Sequence, residues 1–243
     1  MHPEFEELIA CEETSFNHPP QSIFRFFYPI FGTEPEEDKQ TALKNLVQLQ
    51  RQWSRDDPDA VWCKVVDIEQ NDKIVGGILF KVHRDNPFVR HGSGSAQQSA
   101  TWYPAGSQRE YIDECLRILT APHERFMQRA YVYAYIGFMC RRADEFGMEV
   151  WLESVIAMGV PIYMRHGFVP SRKLAIDPKM EAPDDEWRVI EKKTQPLRFW
   201  PIWRPSRGKF APGETIPPWN EFMDVMLIVP CLDKFPLLHI LCL

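Results

Sequence analysis

Positive charge never gathers in this sequence. Its 28 lysines and arginines are spread against 34 aspartates and glutamates, for a formal net charge of −6. With no basic run to neutralise phosphates, a nucleic-acid partner is not expected. The six cysteines (Cys11, Cys63, Cys115, Cys140, Cys231 and Cys242) are scattered and include no C-x-x-C pair. That spacing argues against a zinc knuckle and a dense disulfide framework, and predicts reduced thiols in an intracellular, cytoplasmic protein. The opening Met1-His2-Pro3-Glu4-Phe5-Glu6-Glu7 has neither the basic nor the apolar region of a secretory signal. One long apolar stretch exists, 222–243, but Asp224, Pro230, Asp233, Lys234 and Pro236 interrupt it. A spanning helix needs about 20 predominantly apolar residues, so no membrane partner is expected. Internal repeats, a Ser/His/Asp arrangement and metal-ligand spacings are missing too.

What remains is the composition of a globular chain: 243 residues, 44% hydrophobic and 26% charged, enough for one large domain with appendages. Phe5, Leu8, Ile9 and Phe16 mark a first helix over 4–16, stopped by Pro19-Pro20. Leu43, Leu46, Val47, Leu49 and Trp53 stripe a second over 37–53. The period then changes. Two β-rich runs, 61–68 and 74–83, flank the turn-forming Gln70-Asn71-Asp72 and predict a β-hairpin, with Gly76-Gly77 as a bulge or a close backbone approach. Residues 85–107 read as a loop. A helix over 107–119 follows, capped by Ser107 with Glu110, and Pro122 begins another helical piece to Gln128. After a strand fragment at Tyr131-Val132-Tyr133, a helix over 135–146 ends at Gly147. A strand over 148–153, a short helix over 157–165 closed by Gly167, and a strand opening at Phe168 complete the pattern.

The stretch 142–169 carries family information. Ala143-Asp144-Glu145-Phe146-Gly147, then Leu152-Glu153-Ser154, then Gly159-Val160-Pro161-Ile162-Tyr163, then Gly167-Phe168 stand in order. This order closely resembles the second half of the GNAT acyl-CoA N-acyltransferase core, with its A-D-x-x-G, L-E-A-S, G-x-x-L-Y and G-F elements. Elsewhere, Ser15-Phe16-Asn17, Ile74-Val75-Gly76-Gly77, Thr101-Trp102-Tyr103-Pro104 and Trp203-Arg204-Pro205 are similar to the fungal branch of that superfamily. The resemblance spans about residues 4–219 and implies a GNAT-like domain over 1–220, with the apolar tail 221–243 outside it. The implied fold is α/β (α+β), with a mixed, mostly antiparallel central sheet.

The resemblance also implies a chemistry: acetyl transfer from acetyl-CoA, as co-substrate, to a primary amine of a small molecule or peptide. Tyr163 stands where the family's tyrosine protonates the leaving thiolate. Ser154 and Gly159 join Tyr163 as expected cofactor contacts, and Glu153 as the contact to the amine. Two departures matter. Met1 falls almost at the first helix, so the family's first strand is missing, and Ala134 joins the strand fragment directly to the next helix. The Q/R-x-x-G-x-G/A loop, whose backbone N–H groups hold the pyrophosphate at a helix N-terminus, has no counterpart. Arg90-His91-Gly92-Ser93-Gly94 is a decoy with the wrong arginine offset. Arg129 and Arg141 are the cations left to meet phosphates, and weak acetyl-CoA binding is expected. A catalytically inactive chain, truncated or mis-spliced, is the rival reading.

For individual side chains, the bland alternatives are these. Tyr163 can be a core tyrosine, Glu153 and Ser154 a solvated strand end, Glu12 and Glu13 a solvated helix face, and Cys140 packing. His83 and His166 are read as ordinary histidines, and the tryptophans of 200–219 as core.

Overall fold

Local pattern and burial agree along most of the chain. In the computed structural model, residues 4–17, 21–23, 26, 36–89, 99–134, 139–211, 214–219 and 239–242 are described. They show an α+β fold of six helices and eight strands, in two units: residues 1–80 with 234–243, and residues 81–233. The proposed loop decoy at 90–94 and the first turn of the helix expected from Tyr135 lie outside the described residues.

In the first unit, α1 (Phe5–Asn17) and α2 (Glu36–Asp56) bury their apolar stripes with strand residues. Phe5, Leu8 and Ile9 pack with Leu46, Val47, Trp62, Val66 and Ile74 in one cluster, the outcome expected of helical 3.6 and strand 2.0 periodicities. Strands β1 (Ala60–Asp67) and β2 (Lys73–His83) are hydrogen-bonded neighbours. Between them lie a 3-10 turn, Ile68–Gln70, capped by the Asp67 carboxylate, and the left-handed Asn71 and Asp72. Gly77 is the close approach expected of the pair. A Cβ there would overlap the buried Leu8 side chain. The tail, which lies outside the family resemblance, contributes β8 (His239–Cys242), which pairs antiparallel with β1.

The second unit carries the site. Strand β3 (Tyr131–Ala134) runs parallel to β4 (Glu149–Ser154), with Tyr131 opposite Glu149 and Tyr133 opposite Trp151. Parallel neighbours need a crossover, and the chain between them holds α4 (Met139–Phe146). On the other side β4 pairs antiparallel with β7 (Leu197–Arg204), which also receives β5 (Val169–Pro170) and β6 (Leu174–Ile176). The helix α5 (Gly159–Arg165) lies between β4 and β5.

Three expectations need correction. The helix α3 runs unbroken from Ser107 to Phe126 with Pro122 inside it, rather than stopping at 119. Its N-cap is Gly106, without a side-chain cap bond, and the Ser107 hydroxyl instead donates to Asp184. Tertiary packing outweighs the local signals here: Leu119, Pro122 and His123 are all buried on one side of the helix. The third is α6 (Asp185–Thr194), a helix in a stretch to which the sequence pattern assigned no element. Asp184 caps it by accepting from the Trp187 N–H at 2.9 Å.

One ion pair ties these pieces together. Arg204, 5% exposed at the end of β7, donates to both oxygens of Asp144 on α4 at 2.6 and 2.9 Å. Its Nε also donates to the carbonyl of His166, one residue beyond α5, at 2.7 Å. Gly208 is left-handed (φ 63°), and a Cβ there would fall 2.7 Å from the guanidinium. Gly167 (φ 83°) approaches the Gly208 carbonyl so closely that its own Cβ would lie 2.6 Å from that oxygen. Both positions require glycine.

The Arg204 bonds hold the Asp144 carboxyl below its ordinary value of 3.8. Because the folded value is depressed, the stabilisation is present above the unfolded pKa and lost as pH falls through the folded one. Asp144→Ala leaves a buried guanidinium without its carboxylate. The expected cost is on the order of 3 kcal/mol, the low end for breaking a buried pair, because a third of the Asp144 side chain stays in water. Urea unfolding at neutral pH measures this. An unchanged midpoint would show that the pair does not hold α4 to β7.

Candidate functional site

The C-terminal end of β4 brings together most of the side chains singled out in the sequence. Alternation along a strand sends Trp151 and Glu153 to one face and Ser154 to the other. The parallel register sets Tyr133 across from Trp151 on that first face. There the Glu153 carboxylate is clamped: Trp151 Nε1 donates to Oε1 at 2.6 Å and the Tyr133 hydroxyl donates to Oε2 at 2.8 Å. Burial pushes the Glu153 carboxyl up from 4.5 to about 7, against the two side-chain donors, which pull it down. A carboxyl poised there holds a proton or an ammonium near neutrality.

Aromatic rings pack around the two donors to this carboxylate. His123, 8% exposed and carried by α3, stacks on Tyr133 with centroids 4.4 Å apart and planes 12° apart. It stacks more distantly on Trp151, at 6.0 Å. It meets Tyr131 at right angles at 5.2 Å, and the His83 ring lies 4.8 Å from Tyr131, tilted by 43°. Burial pushes His123 down to about 3, so the imidazole is neutral at physiological pH. His123 Nε2, the Tyr131 hydroxyl and Trp219 Nε1 are buried without a hydrogen-bond partner. Burial likewise raises the Tyr131 hydroxyl, with the Glu153 charge as a second cause. Trp219 packs on Trp151 and Trp203, so Trp203 and Trp219, of the tryptophans of 200–219, are core, while Trp200 is half-buried.

On the second face, Ser154 Oγ donates to the Ile156 carbonyl at 3.1 Å. A Cβ on Gly159 would lie 3.3 Å from both Ser154 Oγ and Tyr163 Cε2, so these three residues form one tight corner. The half-buried Tyr163 ring meets Phe168 edge-on at 5.7 Å, and burial raises its hydroxyl pKa. Glu153 and Tyr163 therefore flank the same strand end from opposite faces.

One expected contact is engaged elsewhere. Arg129 binds Glu149 through Nε at 2.9 Å and Nη2 at 2.8 Å, and Trp203 Nε1 donates to the same carboxylate at 2.9 Å. Glu149 begins β4, whereas Ser154 ends it, so this pair lies roughly 16 Å along the strand from the corner at about 3.3 Å per residue. Arg141 is exposed in the first turn of α4. The Cys140 thiol is buried and burial raises its pKa, the character of packing rather than of a nucleophile. Among the described residues no group of three or more His, Cys, Asp and Glu is set to hold a metal, and no helix is long and apolar enough to cross a membrane.

Tyr133, Trp151 and His123 were not singled out from the sequence. The first two had a signal, since Trp151 stands two residues before Glu153 and the strand fragment at 131–133 was expected beside β4. His123 had none. Its approach depends on α3 continuing through Pro122.

No protein-family profile matches the chain, and no curated protein matches its sequence.

The clamp has a measurable signature. Since the folded Glu153 value lies above the unfolded one, stability falls as pH rises from about 4.5 to about 7 and levels off beyond. Glu153→Gln removes this slope, worth on the order of a few kcal/mol over the window. Urea unfolding across that range compares the two proteins. Equal slopes would place the Glu153 carboxyl in water rather than in its buried clamp.

Proposed function

We propose that the chain is built on the frame of an N-acyltransferase that moves an acetyl group from acetyl-CoA to a primary amine. The observation that carries this reading is the corner at the end of β4, where Ser154, Gly159 and Tyr163 meet across the strand from Glu153. These are the positions that the GNAT resemblance marks for thioester and amine. Acyl transfer needs an amine relieved of its proton and a thiolate supplied with one. Glu153, with a carboxyl near 7, holds the ammonium and accepts its proton. Tyr163 carries the hydroxyl proton suited to a departing sulfur.

A second reading has its own observation. Only residues 135–138 separate β3 from α4, too few for a strand extension plus a phosphate-binding turn. Arg129 is engaged with Glu149. The described residues therefore offer no loop for the pyrophosphate of coenzyme A, and a non-catalytic protein on the same frame accounts for that mismatch.

Calorimetry and a thiol-release assay separate the two. Each missing charge-assisted hydrogen bond is worth about 1.5–3 kcal/mol, so the wild-type chain shows little saturable acetyl-CoA binding. A variant with a strand extension and glycine loop inserted after Tyr133 binds acetyl-CoA and releases thiol in the presence of primary amines. In that variant Tyr163→Phe lowers turnover by about 10²-fold, the scale of a lost general acid. A loop variant that binds acetyl-CoA but transfers to no amine leaves the non-catalytic reading. Tight binding by the wild type would overturn the mismatch itself.

A further inference from the structure

The register of the tail strand places two cysteines directly across from each other. Strand β8 pairs antiparallel with β1 so that Val66 faces His239, Val65 faces Ile240, Lys64 faces Leu241 and Cys63 faces Cys242. Directly opposed residues of an antiparallel pair have Cα atoms about 4.5 or 5.5 Å apart, depending on whether the pair is hydrogen-bonded. Both values fall inside the roughly 4.4–6.8 Å window that a disulfide bridges. Slipping the register by one residue would set Cys63 against Leu241 or Leu243 and remove the opposition.

We propose that Cys63 and Cys242 form an oxidisable pair, whose disulfide fastens the tail strand to the edge of β1. The remaining described cysteines do not offer this. Cys115 and Cys140 are buried within helices, and Cys11 lies on α1. Burial also raises the Cys115 thiol far above its ordinary value, which keeps it protonated and unreactive. Cys63 is itself fully buried, so a bulky oxidant does not reach it first. Strand β8 has four residues and one neighbouring strand, β1. Short edge strands open locally more readily than strands paired on both sides.

The chemistry runs in two exchanges with a small-molecule disulfide such as glutathione disulfide. The Cys242 thiolate attacks one sulfur, breaks the S–S bond, and leaves a mixed disulfide on Cys242 with one glutathione released as its thiol. The Cys63 thiolate then attacks the Cys242 sulfur and expels the second glutathione. Two protein S–H bonds are lost and one S–S bond forms. The two protons and two electrons end on the two glutathiones. Reduction by excess thiol reverses both steps.

The test uses the full chain. The protein is incubated with glutathione disulfide, remaining thiols are alkylated, and a tryptic digest is mapped without reduction. Cleavage after Arg55, Lys64 and Lys234 puts Cys63 in peptide 56–64 and Cys242 in peptide 235–243. The expected result is a disulfide-linked 56–64/235–243 species that dithiothreitol splits. Cys63→Ser instead stops at the first exchange and accumulates the glutathione adduct on 235–243. Alkylation of both cysteines in the oxidised wild type would overturn the proposal, as would separate glutathione adducts on each or links to other cysteines. Because Cys63→Ser keeps the strand and replaces a small side chain, its adduct also reports that Cys242 is reachable when the second nucleophile is gone.

Discussion

Arg204 holds three segments that are far apart in sequence, and the candidate site depends on all three. Its guanidinium takes both oxygens of Asp144 on α4 and the carbonyl of His166 behind α5, while its backbone belongs to β7 opposite Val150. Strand β4 is thus fixed on one side by ladder bonds. The helices before and after it are fixed by the same charge. Bidentate geometry makes the anchor directional: a guanidinium fork meets a carboxylate in one plane. The two left-handed glycines, Gly167 and Gly208, exist in service of this junction, because any Cβ would push the backbone away from it. Tyr163 owes its place to an interaction it does not make.

Around that anchor, the strand end separates two environments by alternation alone. On one face Glu153 is desolvated and then partly repaid by Tyr133 and Trp151, leaving a carboxyl near 7. On the other, Ser154, Gly159 and Tyr163 crowd into a corner. In the proposed acyl transfer Glu153 and Tyr163 are the proton acceptor and the proton donor, and placement on opposite faces keeps them from neutralising each other. Arg129, beside the parallel pair, is engaged with Glu149 at the far end of β4.

In the other unit the tail strand matters for a different reason. The outer edge of β1 would present unpaired N–H and C=O groups, and β8 covers them. The apolar character of 222–243 reads from sequence as a stretch too interrupted to span a membrane. Four of its last residues instead form a strand on that edge, and their register sets Cys63 opposite Cys242.

The sequence by itself determined the elements whose cues are local. The stripes of Leu8 and Ile9 and of Leu46 and Val47, the turn at Asn71-Asp72, the ordered motifs from Ala143 to Phe168 and the stop at Gly147 all depend on side-chain spacing or on backbone angles that few residue types adopt. They also named Glu153, Ser154, Gly159 and Tyr163 as residues to watch. Only the tertiary structure decided that α3 continues through Pro122 and so brings His123 over Tyr133. It also decided that Asp184 caps α6, that Arg129 is bound to Glu149, and that Cys63 faces Cys242. Each of these is a contact between segments distant in the chain. Such contacts depend on where burial and pairing bring the elements, and no local propensity encodes that position.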